Sequence, residues 1–176
     1  SESLVIAFLD EFPTIAHEAA EVMAAFGSFA RPALQPAIEM LDHADPSRQI
    51  GALRVITALG PDAAPAVPKL IEMLSGQSQE TRCIEALAAI GPAAAAAITT
   101  LEQHAAKQAG ADQSALYALC CIRGDISDFR KLIDLLEDAN VDAATKKQVV
   151  TRLDQLGAKA QPVADEIRRL LTSEAP

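Results

Sequence analysis

Apolar residues in this chain recur in steps of four and three, and that recurrence itself repeats. Five trios, Ala19/Met23/Phe26, Ala52/Ile56/Leu59, Cys83/Leu87/Ile90, Ala115/Leu119/Ile122 and Val149/Leu153/Leu156, each mark one face of a 3.6-residue helix. The first member is nearly always small, as expected where two helix backbones come close. A glycine follows each trio: Gly27, Gly60, Gly91, Gly124 and Gly157, spaced 33, 31, 33 and 33 residues apart. Glycine tolerates the left-handed conformation that caps a helix end, so each trio predicts a helix that stops there. In the fourth unit Arg123 stands between trio and glycine, which predicts a slightly different turn.

A second amphipathic stretch follows each glycine: GSFARPALQPAIEML, GPDAAPAVPKLIEML, GPAAAAAITTLEQ, GDISDFRKLIDLL and GAKAQPVADEIRRLL. Pro32, Pro65 and Pro162 sit five residues after their glycines, where a second helix should begin. Pro36 and Pro68 lie near the limit of the tolerated first turn, so those helices are expected to start late or bend. Asp45-Pro46 joins a capping acceptor to a proline at the first helical position. Gly110 with Asp112, and Asn140 with Asp142, mark further breaks. The pattern predicts an all-α chain of about eleven helices: 3–11, 14–26, 32–42, 46–59, 64–75, 78–90, 92–109, 112–122, 126–138, 142–156 and 159–172.

The stretch RQIGALRVITALGPDAAPAVPKLIEML resembles a bacterial HEAT-like repeat, with its AL-x-x-x-G-P-x-A-x-P-A-V-P-x-L-I-x-x-L pattern. The resemblance extends over residues 3–172 and is strongest at 46–91. It implies a right-handed α-solenoid of about five and a half two-helix units: a half repeat at 1–12, then 13–43, 44–76, 77–109, 110–140 and 141–173. Helices ending at the glycines would line the concave side and the others the convex side. Each unit has two apolar faces and buries both only by stacking on neighbours. The chain opens in mid-unit with LVIAFLDEF, so either that helix closes the array or the solenoid is longer, and the second is expected. HEAT-like proteins serve many partners. The resemblance implies a protein-binding scaffold first, and leaves open an enzyme subunit similar to phycobilin lyases or an inhibitor or immunity protein. DNA glycosylases with HEAT-like repeats are disfavoured.

Composition supports close helix stacking. Alanine accounts for 36 of the 176 residues, whereas only five Phe and one Tyr are aromatic. The net charge of −9 is mostly an end effect, because residues 1–46 alone carry eight acids against Arg31. So acidic a chain makes poor phosphate contacts, which argues against nucleic acid and anionic membranes. The acidic end would instead favour a basic partner. No run of 18 apolar residues occurs and Ser1-Glu2-Ser3 has no basic signal-peptide region, so neither a membrane span nor a leader is expected. Three cysteines cannot all pair, and the setting expected is reducing and cytoplasmic.

Catalytic chemistry finds little to work with. His17, His43 and His104 lie in different units without a Cys or His at i+3 or i+4, so zinc spacing is absent and no cofactor is expected. Cys120 and Cys121 point about 100° apart on a helix, which strains any disulfide between them, and Cys83 takes a small core position. What remains is surface. With the trios inward, one outward position per first helix gives Glu21, Arg54, Glu85, Tyr117 and Thr151, flanked by His17, Glu18, Ile50, Arg82, Gln113 and Lys147. This ridge is the expected partner-binding surface, with Tyr117 and the arginines as anchors. Its plainer alternative is a solvated helix face of mixed charge.

Overall fold

A computed structural model describes residues 31–76, 79–107 and 113–157, together with Glu18, Val22 and Ala25. The expected helices 3–11 and 159–172, the Ala19/Met23/Phe26 trio, and His17 and Glu21 lie outside the described residues. Among the described residues there are α-helices and 3₁₀ segments and no strand, so the fold is all-α. The chain divides into two compact units, Ser1–Ala97 and Ile98–Pro176.

In the first unit the α-helices are α1 (Leu34–Met40), α2 (Pro46–Leu59), α3 (Val67–Ser75) and α4 (Glu80–Ile90), with 3₁₀ segments at Gly60–Ala66 and Gly91–Ala97. Helix α2 packs on α1 and α4, and α3 packs on α4. In the second unit α5 (Ile98–Lys107) packs on α6 (Gln113–Ile122), which also meets α7 (Ile126–Glu137) and α8 (Ala143–Leu156). Helices α7 and α8 pack on each other as well.

Local chemistry sets the helix ends. Asp45 accepts from the Ser47 N–H at 2.9 Å, with Pro46 opening α2 as expected. Asp125 caps α7 through Ser127 N–H at 2.9 Å, and Asp142 caps α8 through Thr145 N–H at 2.9 Å. Gly60, Gly91, Gly124 and Gly157 have φ of 56°, 68°, 68° and 50°, a region a Cβ makes costly, which is why a glycine recurs there. The four described trios are all buried, from Ala52 at 0 % exposed to Ile122 at 6 %. Around them Leu53, Leu70 and Ile84 fill the first unit, and Leu101, Phe129 and Leu132 the second. Each such side chain contributes about 1.5–3 kcal/mol by leaving water.

Three second-type helices start later than the hydrophobic pattern predicts, α1 at Leu34 instead of 32 and two others by more. The segments Gly60–Ala66 and Gly91–Ala97 are 3₁₀, and the α-helices begin at Val67 and Ile98 instead of 64 and 92. Buried Ala63 and Ala66 are spaced by three, the period at which a 3₁₀ helix brings side chains onto one line, whereas Gly91–Ala97 is two short turns joined by a kink at buried Ala94, with φ −90° and ψ 19°. Pro61 and Pro65 lack the N–H groups of a regular α-turn, and the two segments pack against each other.

The 27-residue stretch Glu80–Ala106 is long and apolar enough to cross a bilayer by length and composition, although it holds no run of 18 consecutive apolar residues. Half of its window is buried inside the protein, as in a core helix, and the positive φ of Gly91 breaks it.

Candidate interaction surface

The outward positions fall in two sets, one per unit. In the first, Arg54 on α2 and Arg82 on α4 are exposed, with Glu85 on α4 and Ile50 on α2 half-buried. Because α2 and α4 pack together, the arginines and Glu85 are carried by adjacent helices. In the second, Tyr117 and Gln113 on α6 are half-buried while Lys147 and Thr151 on α8 are exposed. Thr151 Oγ1 donates to the Lys147 carbonyl at 3.0 Å, so part of its polarity is spent within its own helix. Glu18 is exposed.

The second set contains two residues that the sequence pattern did not single out. The Arg152 guanidinium carbon lies 4.7 Å from the centre of the Tyr117 ring, a cation–π contact. One turn earlier, Gln113 Nε2 donates to Gln148 Oε1. Both pairs join residues 35 apart, so they form successive rungs between α6 and α8. Burial, reinforced by the Cys121 thiol, pushes the Tyr117 phenol up to about 12, against the opposing pull of Arg152. A signal for Arg152 was present: three residues after the first trio member, the other described repeats hold Val55, Ala86 and Ala118, all buried.

A second polar cluster lies at the α6–α7 turn, where Arg123 had suggested only an altered turn. Asp128 is fully buried and accepts from Arg123 Nη2 at 2.8 Å and Nε at 3.0 Å. Arg123 Nη1 also donates to Glu102 on α5 at 2.8 Å, joining α5, α6 and α7. Its hydrogen bonds to the Asp128 and Glu102 carboxylates raise the Arg123 pKa further above its ordinary value. Lys131 stands 3.9 Å from Asp128.

The cysteines are buried free thiols. Burial pushes Cys83 and Cys120 up to about 12, with Glu80 adding to the first and Asp128 to the second. That is the reverse of an activated nucleophile, whose pKa is lowered. His43 Nδ1 accepts from the Asp45 N–H at 3.0 Å, a helix-entry contact. Among the described residues no group of three or more His, Cys, Asp or Glu is placed to hold a metal ion. Neither family models, nor curated proteins, nor solved structures provide a match to this chain.

Proposed function

We propose that this chain is a right-handed α-solenoid of HEAT-like repeats acting as a non-enzymatic interaction module. It binds a protein or peptide partner along the surface of the helices that end in the repeat glycines. The observation carrying this reading is the recurrence of one structural unit: a buried trio, then a glycine with positive φ, at Gly60, Gly91, Gly124 and Gly157. Contacts of α2 with α4, and of α6 with α8, support it, since trio-bearing helices of successive repeats lie side by side in a stacked array. The raised thiol pKa values and the mixed polar character of the outward positions favour binding over catalysis. The buried thiols suit the reducing, cytoplasmic setting that goes with this reading.

The test is affinity capture from a cell extract with the parent chain and the Tyr117→Ala/Arg54→Glu variant. Loss of specific partners by a folded double variant is the expected result. Unchanged recovery would overturn the assignment of binding to this surface.

A further inference from the structure

We propose that copies of this chain associate head to tail, the α8 flank of one copy (Lys147, Val150, Thr151 and Asp154) covering the Glu18, Val22 and Ala25 flank of the next. The proposal rests on the stacked-repeat part of the interaction-module reading and adds a second copy as a partner. Its first support is exposed apolar surface. Among the described residues the large apolar side chains left exposed are Val22, Ile126 and Val150, at 43 %, 47 % and 37 %. Val22 and Val150 stand where sister repeats bury an apolar residue. Val22 follows its first trio member by three, as do buried Val55, Ala86 and Ala118. Val150 follows its own by one, as do Leu53, Ile84 and Leu116, none more than 2 % exposed.

The second support is complementarity between those two flanks. Gln113 and Tyr117 on α6 meet Gln148 and Arg152 on α8, so one flank of a trio helix faces the following repeat and the other the preceding one. The α6 flank Gln113, Leu116, Tyr117 and Cys120 corresponds on α8 to Lys147, Val150, Thr151 and Asp154. These four lie within one 100° arc and are all exposed. The α8 flank Gln148, Arg152 and Gln155 corresponds in the first repeat to Glu18, Val22 and Ala25, which share one helical face and are also exposed. The chain thus carries both halves of its own repeat-to-repeat contact. Equivalence with the Gln113–Gln148 and Tyr117–Arg152 pairs sets Lys147 against Glu18, a match of opposite charge, and Thr151 against Val22. The same offset sets Asp154 against Ala25, away from any like charge on that flank. The Thr151 hydroxyl already donates to the Lys147 carbonyl, so it brings no unpaired donor into the apolar contact. Because the two flanks differ, the contact between copies is heterologous.

The test is sedimentation velocity on the whole chain over a range of concentrations, where the mass is expected to rise with concentration. Val22→Asp and Val150→Asp, both at exposed positions, are each expected to leave a monomer throughout, with unchanged circular dichroism. Mixed together, these two variants are expected to form pairs and nothing larger, because each keeps the flank that the other has lost. Ile126→Asp, at the exposed start of α7, is the control and should associate like the parent. Lys147→Glu is expected to weaken association about tenfold, and adding Glu18→Lys to restore it. If either aspartate disturbs the circular dichroism, this charge exchange decides the matter. A parent that stays monomeric, association untouched by either aspartate, a mixture that fails to pair, equal loss from Ile126→Asp, or no recovery by the charge exchange would each overturn the proposal. A monomeric parent that loses a captured foreign protein on Val150→Asp would assign the flank to that protein and overturn it too. All these outcomes leave the interaction module's partner surface standing. That reading falls on its own test, unchanged recovery by Tyr117→Ala/Arg54→Glu.

Discussion

Replacing Arg123 by methionine keeps much of the side-chain length and strips the guanidinium from Asp128. The carboxylate left behind is fully buried, and its two Arg123 hydrogen bonds of 2.8 and 3.0 Å are lost. Its remaining ion-pair partner among the described residues is Lys131 at 3.9 Å. Removing one member of a buried pair costs about 3–5 kcal/mol, because the survivor is an uncompensated charge away from water. Two features place this case near or below the lower end. The Arg123 side chain is 30 % exposed, so water reaches one side of the pair. Asp128 also lies in the first turn of α7, where the helix dipole favours a carboxylate by roughly 0.3–1 kcal/mol. The expected loss is therefore about 2–3 kcal/mol, read by urea denaturation followed by far-ultraviolet circular dichroism. For a chain of this size that corresponds to a Tm lower by roughly 4–12 °C. The Arg123→Met/Asp128→Leu variant removes both charges and should recover most of the loss, since an apolar replacement of a whole buried pair is often neutral. If Arg123→Met lies within about 0.5 kcal/mol of the parent, or the double variant is less stable than the single one, the buried-charge account is wrong.

Alkaline pH should destabilise the fold. Cys83, Cys120 and Tyr117 keep their protons up to about 12 when folded, against ordinary values of 9.0 for the thiols and 10.0 for the phenol. Above pH 9 the unfolded chain therefore binds fewer protons than the folded one, and stability must fall as pH rises from 9 to 12. Thermal melts across that window check this, and a Cys83→Ala/Cys120→Ala variant should show a shallower fall. At the acid end, hydrogen bonds from Thr145 and Ser127 hold Asp142 and Asp125 below their ordinary 3.8. The stability they contribute is present above pH 3.8 and disappears as pH drops through their folded-state values. Asp142→Ala should accordingly lower Tm by a few degrees at neutral pH and leave a smaller further change on acidification.

The parts legible in the sequence are those governed by neighbours a few residues away. Helix α2 runs Pro46–Leu59, as predicted for 46–59, because Asp45-Pro46 and Gly60 specify both ends within one turn. The trios needed only helical periodicity, and every described member is buried. The 3₁₀ segments were not legible from propensity, since GPAAAAA reads as strong α-helix. Burial of Ala63, Ala66, Ala94 and Ala97 in the first unit's core outweighed that preference, which tertiary context commonly does. The link from Arg123 to Glu102 spans 21 residues and depends on how α5 meets α6, which periodicity does not encode.

The candidate surface divides along the same line, for a geometric reason. Tyr117 was found because its outward place follows from the trio on its own helix. Its contact with Arg152 depends on two helices, and side-by-side repeats do not join equivalent positions. The trios of the fourth and fifth units stand 34 residues apart, which would set Tyr117 against Thr151, and Gln113 against Lys147. The observed pairs are offset by 35, setting Tyr117 against Arg152, and Gln113 against Gln148. One helix presents one flank of the motif while its neighbour presents the other, and the residues on those flanks occupy different places in the repeat. A ridge chosen by equivalence between repeats therefore selects outward single positions and misses the side chains that complete them. Arg152 shows the remedy: a charge standing where three sister repeats bury Val55, Ala86 and Ala118 marks a position whose partner lies on the adjacent helix.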